Sequence, residues 1–361
     1  MVHSPSSRRR FGGALAAAAL TGALPAAAAV GERRHRAPAT MPLIKPPRLR
    51  EGDLIGLIAP AGHTSDEAIA KAVATIEALG FKVALASHLR AVHGNYAGSV
   101  AQRLADLHAM FLDPAIKALW CIRGGSGAIS LLSGIDYRMI RAHPKILLGY
   151  SDITVLHLAL LRHAGLVTFH GPVASSMLSP YSSEHMLAVL MDPAPRYTIP
   201  MAMENARRAL DEPQHAGHYA LRTVQAGVAS GRLIGGNLSM VAALAGTPYG
   251  ADFRDSLLYL EEVNEAPYRI DRWLTQLDLA VGLRHAAGVI IGICDNCGPG
   301  HEDISLSLDE TLDLHLQGLT VPAVSGYSIG HIRHQCTLPV GVRATLDTTR
   351  QTITLLEPAV S

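Results

Sequence analysis

Net charge, aromatic side chains and cysteine are all scarce in this chain of 361 residues, and each scarcity removes a class of function. Lys and Arg number 31 against 30 Asp and Glu, a formal net charge of +1. So balanced a chain has no electrostatic reason to seek nucleic acid or an anionic membrane surface. Five Phe and two Trp, with no long basic run, argue the same way. Four cysteines (Cys121, Cys294, Cys297, Cys336) are too few for a disulfide scaffold. Cys294-Asp-Asn-Cys297 has redox or zinc spacing, but no second Cys or His pair stands at metal-finger distance. Cys294 follows the apolar run Gly288–Ile293 and reads as a buried thiol, with a Cys294–Cys297 disulfide left open. Long hydrophobic runs are missing too: Ala14 to Leu24 is short for a bilayer core of ~30 Å.

What is present points to an exported globular protein. Hydrophobic residues make up 48% and charged residues 17%, ample material for a core, and the length implies two domains. Ser7-Arg-Arg-Arg-Phe11-Gly12, the apolar stretch and Pro25-Ala-Ala-Ala-Ala29 make residues 1–30 a secretory signal of twin-arginine type. This implies a periplasmic protein with no stable membrane insertion once the signal is removed. Residues 31–45 read as an unstructured leader.

From Asp53 onward short apolar runs alternate with helical periods. Strands are expected at 54–59, 81–86, 116–122, just before Ser151, and 167–170, with helices at 65–79, 100–112 and after Ser151. That alternation predicts a doubly wound parallel α/β sheet over 46–180. The period decays between 181 and 230, which reads as a linker. A second, smaller α/β domain follows over 231–361, with strands at 257–261, 288–293, 321–324 and 351–356.

In such sheets chemistry gathers where strands end at the carboxyl edge. Lys145-Ile-Leu-Leu-Gly-Tyr-Ser151-Asp-Ile-Thr places Ser151 on a strand-to-helix turn, beside unpaired helix amides. A nucleophile and a plain helix N-cap both fit that position. Arg123-Gly124-Gly125-Ser126-Gly127 leaves another strand; it is either a tight turn or a set of amides for an oxyanion, and lacks the Lys-Ser/Thr of a phosphate loop. Glu261 closes a third strand and needs a partner, either an imidazole or Arg269 or Arg272. His331, in Gly326-Tyr-Ser-Ile-Gly330-His331, opens from a fourth. His331 with His334 and the neighbouring His301-Glu302 lacks a helical zinc motif, so no metal is expected. Ser151, His331 and Glu261 have the chemistry of nucleophile, base and orienting acid, in one of the chain orders known for triads.

These residues resemble a known group. Arg123–Gly127, Pro144–Thr154, Thr168-Phe-His-Gly-Pro172, Gly231–Asn237, Leu260-Glu-Glu262, Pro267-Tyr-Arg-Ile-Asp-Arg272, Gly330-His331 and Leu338-Pro-Val-Gly341 are similar to the LD-carboxypeptidases of peptidase family S66. The resemblance runs from about Leu54 to Glu357. It implies a serine peptidase with Ser151 as nucleophile, His331 as base and Glu261 as acid. The amides of Asp152 and of Gly124 or Gly125 would form the oxyanion hole. It further implies an amino-terminal flavodoxin-like sandwich, a smaller second domain, a homodimer and no cofactor. The implied substrate is the murein tetrapeptide, cleaved between the L-centre of a diamino acid and the terminal D-alanine. Arg123 is the expected partner of the free carboxylate, with a salt bridge tying the glycine turn as its alternative. Ser126 stands where the family commonly has Tyr, and the export signal departs from its many cytoplasmic members. Two other readings remain: an amidase of the microcin-immunity kind acting on peptidyl or aminoacyl nucleotide analogues, and a non-catalytic binder of peptidoglycan fragments.

Overall fold

Two sheets carry the chain in the computed structural model, which describes residues 41–211, 219–300 and 304–361. The signal at 1–30, most of the leader and His301-Glu302 lie outside the described residues. Thr40–Ser361 makes one compact unit.

The first sheet is built from β1 (Leu54–Ile58), β2 (Lys82–Leu85), β3 (Ile116–Cys121), β4 (Ile146–Gly149) and β5 (Thr168–His170), all parallel. Their order, β2-β1-β3-β4-β5, is that of a flavodoxin-like sheet, with its switch point between β1 and β3. β1, β3, β4 and β5 are almost wholly buried, as strands covered on both faces must be. Helix α1 (Asp66–Ala78) is capped by Ser65, and α2 (Val100–Leu112) by a capping box of Ser99 and Gln102. Helix α3 (Tyr137–Ala142) precedes β4, and α4 (Thr154–Ala164) follows it.

The stretch expected as an irregular linker is instead structured. It holds α5 (Pro180–Met191), β6 (Tyr197–Ile199), α6 (Met203–Asp211), β7 (Arg222–Gln225) and the start of β8 (Val228–Asn237). Helix α5 buries Ser182 and His185 beside its apolar residues, so no clean polar face betrayed its period. The second sheet joins β9 (Ser256–Glu261), β10 (Gly288–Gly292), β11 (Ala323–Tyr327), β13 (Arg343–Asp347) and β14 (Thr352–Leu355) to β6, β7 and β8. β8 to β11 run parallel at its centre, and β13, β14, β6 and β7 flank them antiparallel.

One strand breaks the simple division into halves. β12 (Leu338–Val340) leaves the second part of the chain and pairs antiparallel with β5, Leu338 opposite His170. A second tie lies at α4, where the Asn237 amide at the end of β8 donates to the Thr154 hydroxyl at 3.0 Å. Helices α7 (Leu238–Leu244), α8 (Pro267–Ala280) and α9 (Leu308–Leu316) pack in the second part of the chain, and short 3-10 helices lie at Ala128–Gly134 and Leu283–His285. Among the described residues no helix is long and apolar enough to cross a membrane.

Candidate active site

β4 delivers the chain to Tyr150 in extended conformation, and Ser151 then turns with φ of +64° into a short 3-10 turn and α4. An L-residue with that φ is strained by roughly 1–2 kcal/mol. Ser151 makes no capping bond to the helix, so the N-cap reading does not apply. The glycine turn after β3 presses against it. A methyl group on Gly124 would lie 2.8 Å from Ser151 Cβ and 3.0 Å from its Oγ. Only a glycine lets that backbone approach the hydroxyl so closely.

The Asp152 carboxylate ties the two turns together. Its Oδ2 accepts from the Ala128 amide at 2.8 Å, just past the glycine turn. Burial pushes its pKa up to about 6, opposed by that amide and by the Arg103 charge. Arg103, itself buried, donates to the carbonyls of Pro60 and Gly127 and to the Ser130 hydroxyl. Asp152, Arg103, Ser126, Tyr96 and Met240 line a cavity of about 510 Å³ beside the elbow.

A raised carboxyl pKa has a defined effect on stability. Between pH 3.8 and about 6 the native state holds a proton on Asp152 that the unfolded chain releases, so stability falls as pH rises through that window. The full effect is on the order of 2–3 kcal/mol. Asp152→Asn keeps an oxygen for the Ala128 amide and removes the titration. In urea unfolding, the stability difference between variant and wild type should move in favour of the variant as pH rises from 4 to 6. A difference independent of pH would contradict this.

The candidate acid and base, Glu261 and His331, come from the second sheet and the loop that leaves it. Glu261 ends β9, is fully buried, and its Oε2 accepts from His331 Nδ1 at 2.7 Å. The Arg alternatives are not used: Arg269 pairs with Glu265. Gly330, at φ of +127°, lets the His331 loop lie against Glu261, since a methyl there would be 3.2 Å from Glu261 Cβ. Burial opposes charging both groups, yet each outweighs it for the other. His331 is held above its ordinary 6.5, and Glu261 is held below the usual carboxylate range. With Nδ1 spent on Glu261, Nε2 is the basic nitrogen. The His331 ring packs on Tyr150, centroids 4.6 Å apart, which sets the base over the residue next to Ser151.

Glu262 is a group at the site to which the sequence assigned no role, whereas Arg123, the cysteines and His334 stand out there. Glu262 is buried beside Glu261 and held by Asn237 Nδ2 at 2.8 Å and by the amides of Ser239 and Val263. Burial first, then the Glu261 charge, raises its pKa. Arg123 is exposed and donates to the His63 carbonyl at 3.1 Å. Cys294 and Cys297 are buried free thiols. His334 lies in the loop after His331, and its main-chain carbonyl accepts from Asn205.

Known proteins share this arrangement of two sheets. Residues 55–171 match the LD-carboxypeptidase N-terminal domain and residues 230–346 the LD-carboxypeptidase C-terminal domain. The probable murein peptide carboxypeptidase of Bacillus subtilis is 37% identical over 322 residues, 88% of this chain and 95% of that protein. The murein tetrapeptide carboxypeptidase of Pseudomonas aeruginosa is 33% identical over 302 residues, covering 82% and 94%. A solved muramoyltetrapeptide carboxypeptidase from Oxalobacter formigenes superposes with a TM-score of 0.72 at 27% identity, covering 84% and 97%. The microcin C7 self-immunity protein of Escherichia coli is 26% identical over 345 residues, covering 89% and 97%. The two domain matches and the identity to the Bacillus protein agree: this chain belongs to the LD-carboxypeptidase family, peptidase S66.

Proposed function

We propose that the chain is a serine LD-carboxypeptidase that removes the terminal D-alanine from murein tetrapeptides, working in peptidoglycan turnover or recycling. The observation that carries this reading is the buried Glu261–His331 pair, packed through Tyr150 onto a serine held at positive φ. In this reading His331 Nε2 takes the Ser151 proton as Oγ attacks the carbonyl of the diamino acid's L-centre. The oxyanion is met by the amide of Asp152 and by Gly124 or Gly125. The imidazolium, steadied by Glu261, passes its proton to the departing D-alanine nitrogen. Water, deprotonated by the same imidazole, then releases the acyl group and restores Ser151. No cofactor enters any of these steps.

Arg123 at the edge of the glycine turn is our candidate for the terminal carboxylate, and Ser126 shapes the cavity beside the elbow. We place the mature protein in the periplasm, exported by the twin-arginine signal in residues 1–30, and acting as a homodimer. The nucleophile-bearing domain spans 46–180, and the second domain takes in β6, β7 and the whole of β8 ahead of 231–361.

Incubation of purified protein with disaccharide tetrapeptide should release free D-alanine, whereas an aminoacyl sulfamoyl nucleotide should remain intact. The reverse pattern would favour the microcin-immunity reading, and silence on both would favour a binding protein. The pH profile carries a further expectation. His331 must be neutral to act, and its pKa is raised by Glu261, so the acidic limb of kcat/KM should lie above 6.5. A limb below 6.5 would count against this pairing.

A further inference from the structure

Behind the acid–base pair, polar atoms are buried together without protein partners. His170 is fully buried, and neither of its ring nitrogens meets a hydrogen-bonding group. The same holds for the Tyr259 hydroxyl, the Thr337 hydroxyl and Glu261 Oε1, the oxygen that His331 does not use. These residues come from β5, β9 and the turn entering β12, three segments that meet between the sheets. The His170 and Tyr259 rings stand edge to face at 5.3 Å, and Tyr150 links His170 to His331 through centroid distances of 6.0 and 4.6 Å. An unpaired buried polar group costs about 1–3 kcal/mol. Several in one place form a site for a buried water, which takes two to four such partners.

We propose that His170 is a positioning residue for the acid: with the Tyr259 hydroxyl it holds the second oxygen of Glu261 through one buried water. The neighbouring groups are already spent. His157, 6.4 Å from His170, gives one nitrogen to the Thr168 hydroxyl and the other to the Gly149 carbonyl. Asn237 Nδ2 bonds Glu262 at 2.8 Å and also lowers the Glu261 pKa as a side-chain donor, but its geometry leaves Glu261 Oε1 unsatisfied. His170 and Glu261 each feel the other's charge, and Tyr259 feels that of Glu261.

The ring can do this because it stays neutral. Burial holds His170 at about 4, despite the pull of Glu261 in the other direction. A neutral donor steadies a carboxylate without repelling the imidazolium on its far side. Tyr259, its pKa pushed well up by burial, is a donor as well. The other titratable groups here are Glu262 and Asp295 on the His331 side, Tyr150 and Cys336 (beside Tyr259), kept protonated by burial, and Cys294, kept protonated by its hydrogen bond with Cys297 and then by burial. Of these, Tyr150 touches the His170 ring, at a centroid distance of 6.0 Å.

The inference rests on the assignment of Glu261 and His331 as acid and base, and its test separates the two. D-Alanine release is followed against pH for wild type, His170→Phe, His170→Asn and Tyr259→Phe. The donated bond stabilises free Glu261 more than Glu261 already paired with imidazolium, so its loss favours proton uptake by the pair. His170→Phe should therefore lower kcat by about 10–100-fold with little change in KM. It should also move the acidic limb up by about one pH unit. His170→Asn, which keeps a donor, should recover most of both, and Tyr259→Phe should move the limb the same way by less. A role in packing alone would lower the amount of active protein and leave the limb in place. An active wild type with an unmoved limb in His170→Phe overturns the inference. If that variant fails to fold, an unmoved limb in both His170→Asn and Tyr259→Phe does the same. A wild type that releases no D-alanine overturns the assignment of function itself.

Discussion

Ser151→Gly should abolish D-alanine release yet be more stable to urea than Ser151→Ala. Both variants lose the hydroxyl, and removal of a catalytic serine typically costs about 10⁴–10⁶ in kcat. They differ in backbone. At φ of +64° an alanine retains the clash between Cβ and its own peptide that serine has, whereas glycine has none. The glycine variant should be the more stable by about 1 kcal/mol, even after its larger loss of chain entropy. Activity surviving in either variant would remove Ser151 from the mechanism. Equal stability would show that the elbow stores no strain.

Gly235→Ala should be the most damaging single methyl addition near the site. Gly235 lies in β8 opposite Tyr259 of β9, with φ of +150°. A methyl there would sit 1.7 Å from the Tyr259 carbonyl oxygen and 2.7 Å from its carbon. Both are backbone atoms of a central strand, so no rotamer change relieves the clash. Glu261 is two residues further along that strand. We expect a loss of at least about 4 kcal/mol, or failure to fold at 37 °C. Gly318→Ala, with nothing within 4 Å of the added methyl, serves as control and should be near neutral. Urea unfolding that finds Gly235→Ala within 1 kcal/mol of wild type would refute the register of β8 against β9.

Much of the scaffold was legible in the sequence for identifiable reasons. β1 and β4 are unbroken runs without a polar side chain and β3 is broken only by Lys117, because both faces are covered, and α1 and α2 carry their caps in plain view at Ser65 and Ser99. Ser151, Glu261 and His331 were legible as candidates because each follows an apolar strand. Their pairing was less so. Glu261 and His331 are 70 positions apart, and spacing alone left Arg269 and Arg272 as equal partners for the acid. β12 was not expected from the sequence, because it is three residues long and holds Pro339, a residue that strands rarely carry. The proline is tolerated because β12 lies at the edge of its sheet. The Asp152 carboxyl and the His170 ring drew no role because a buried polar side chain and a solvated one look alike in sequence. Only the neighbours each acquires in three dimensions distinguish them.

The placement of β12 has a consequence for biogenesis. The outermost ribbon of the first sheet is supplied by residues 338–340, nearly 170 positions after the neighbour it joins. On a ribosome, everything up to β5 must wait, with an open flank, until almost the entire polypeptide has emerged. Maturation is then a late, all-at-once event of high contact order, and therefore slow. A fragment ending near residue 330 should accumulate as an aggregating intermediate rather than as a stable amino-terminal half.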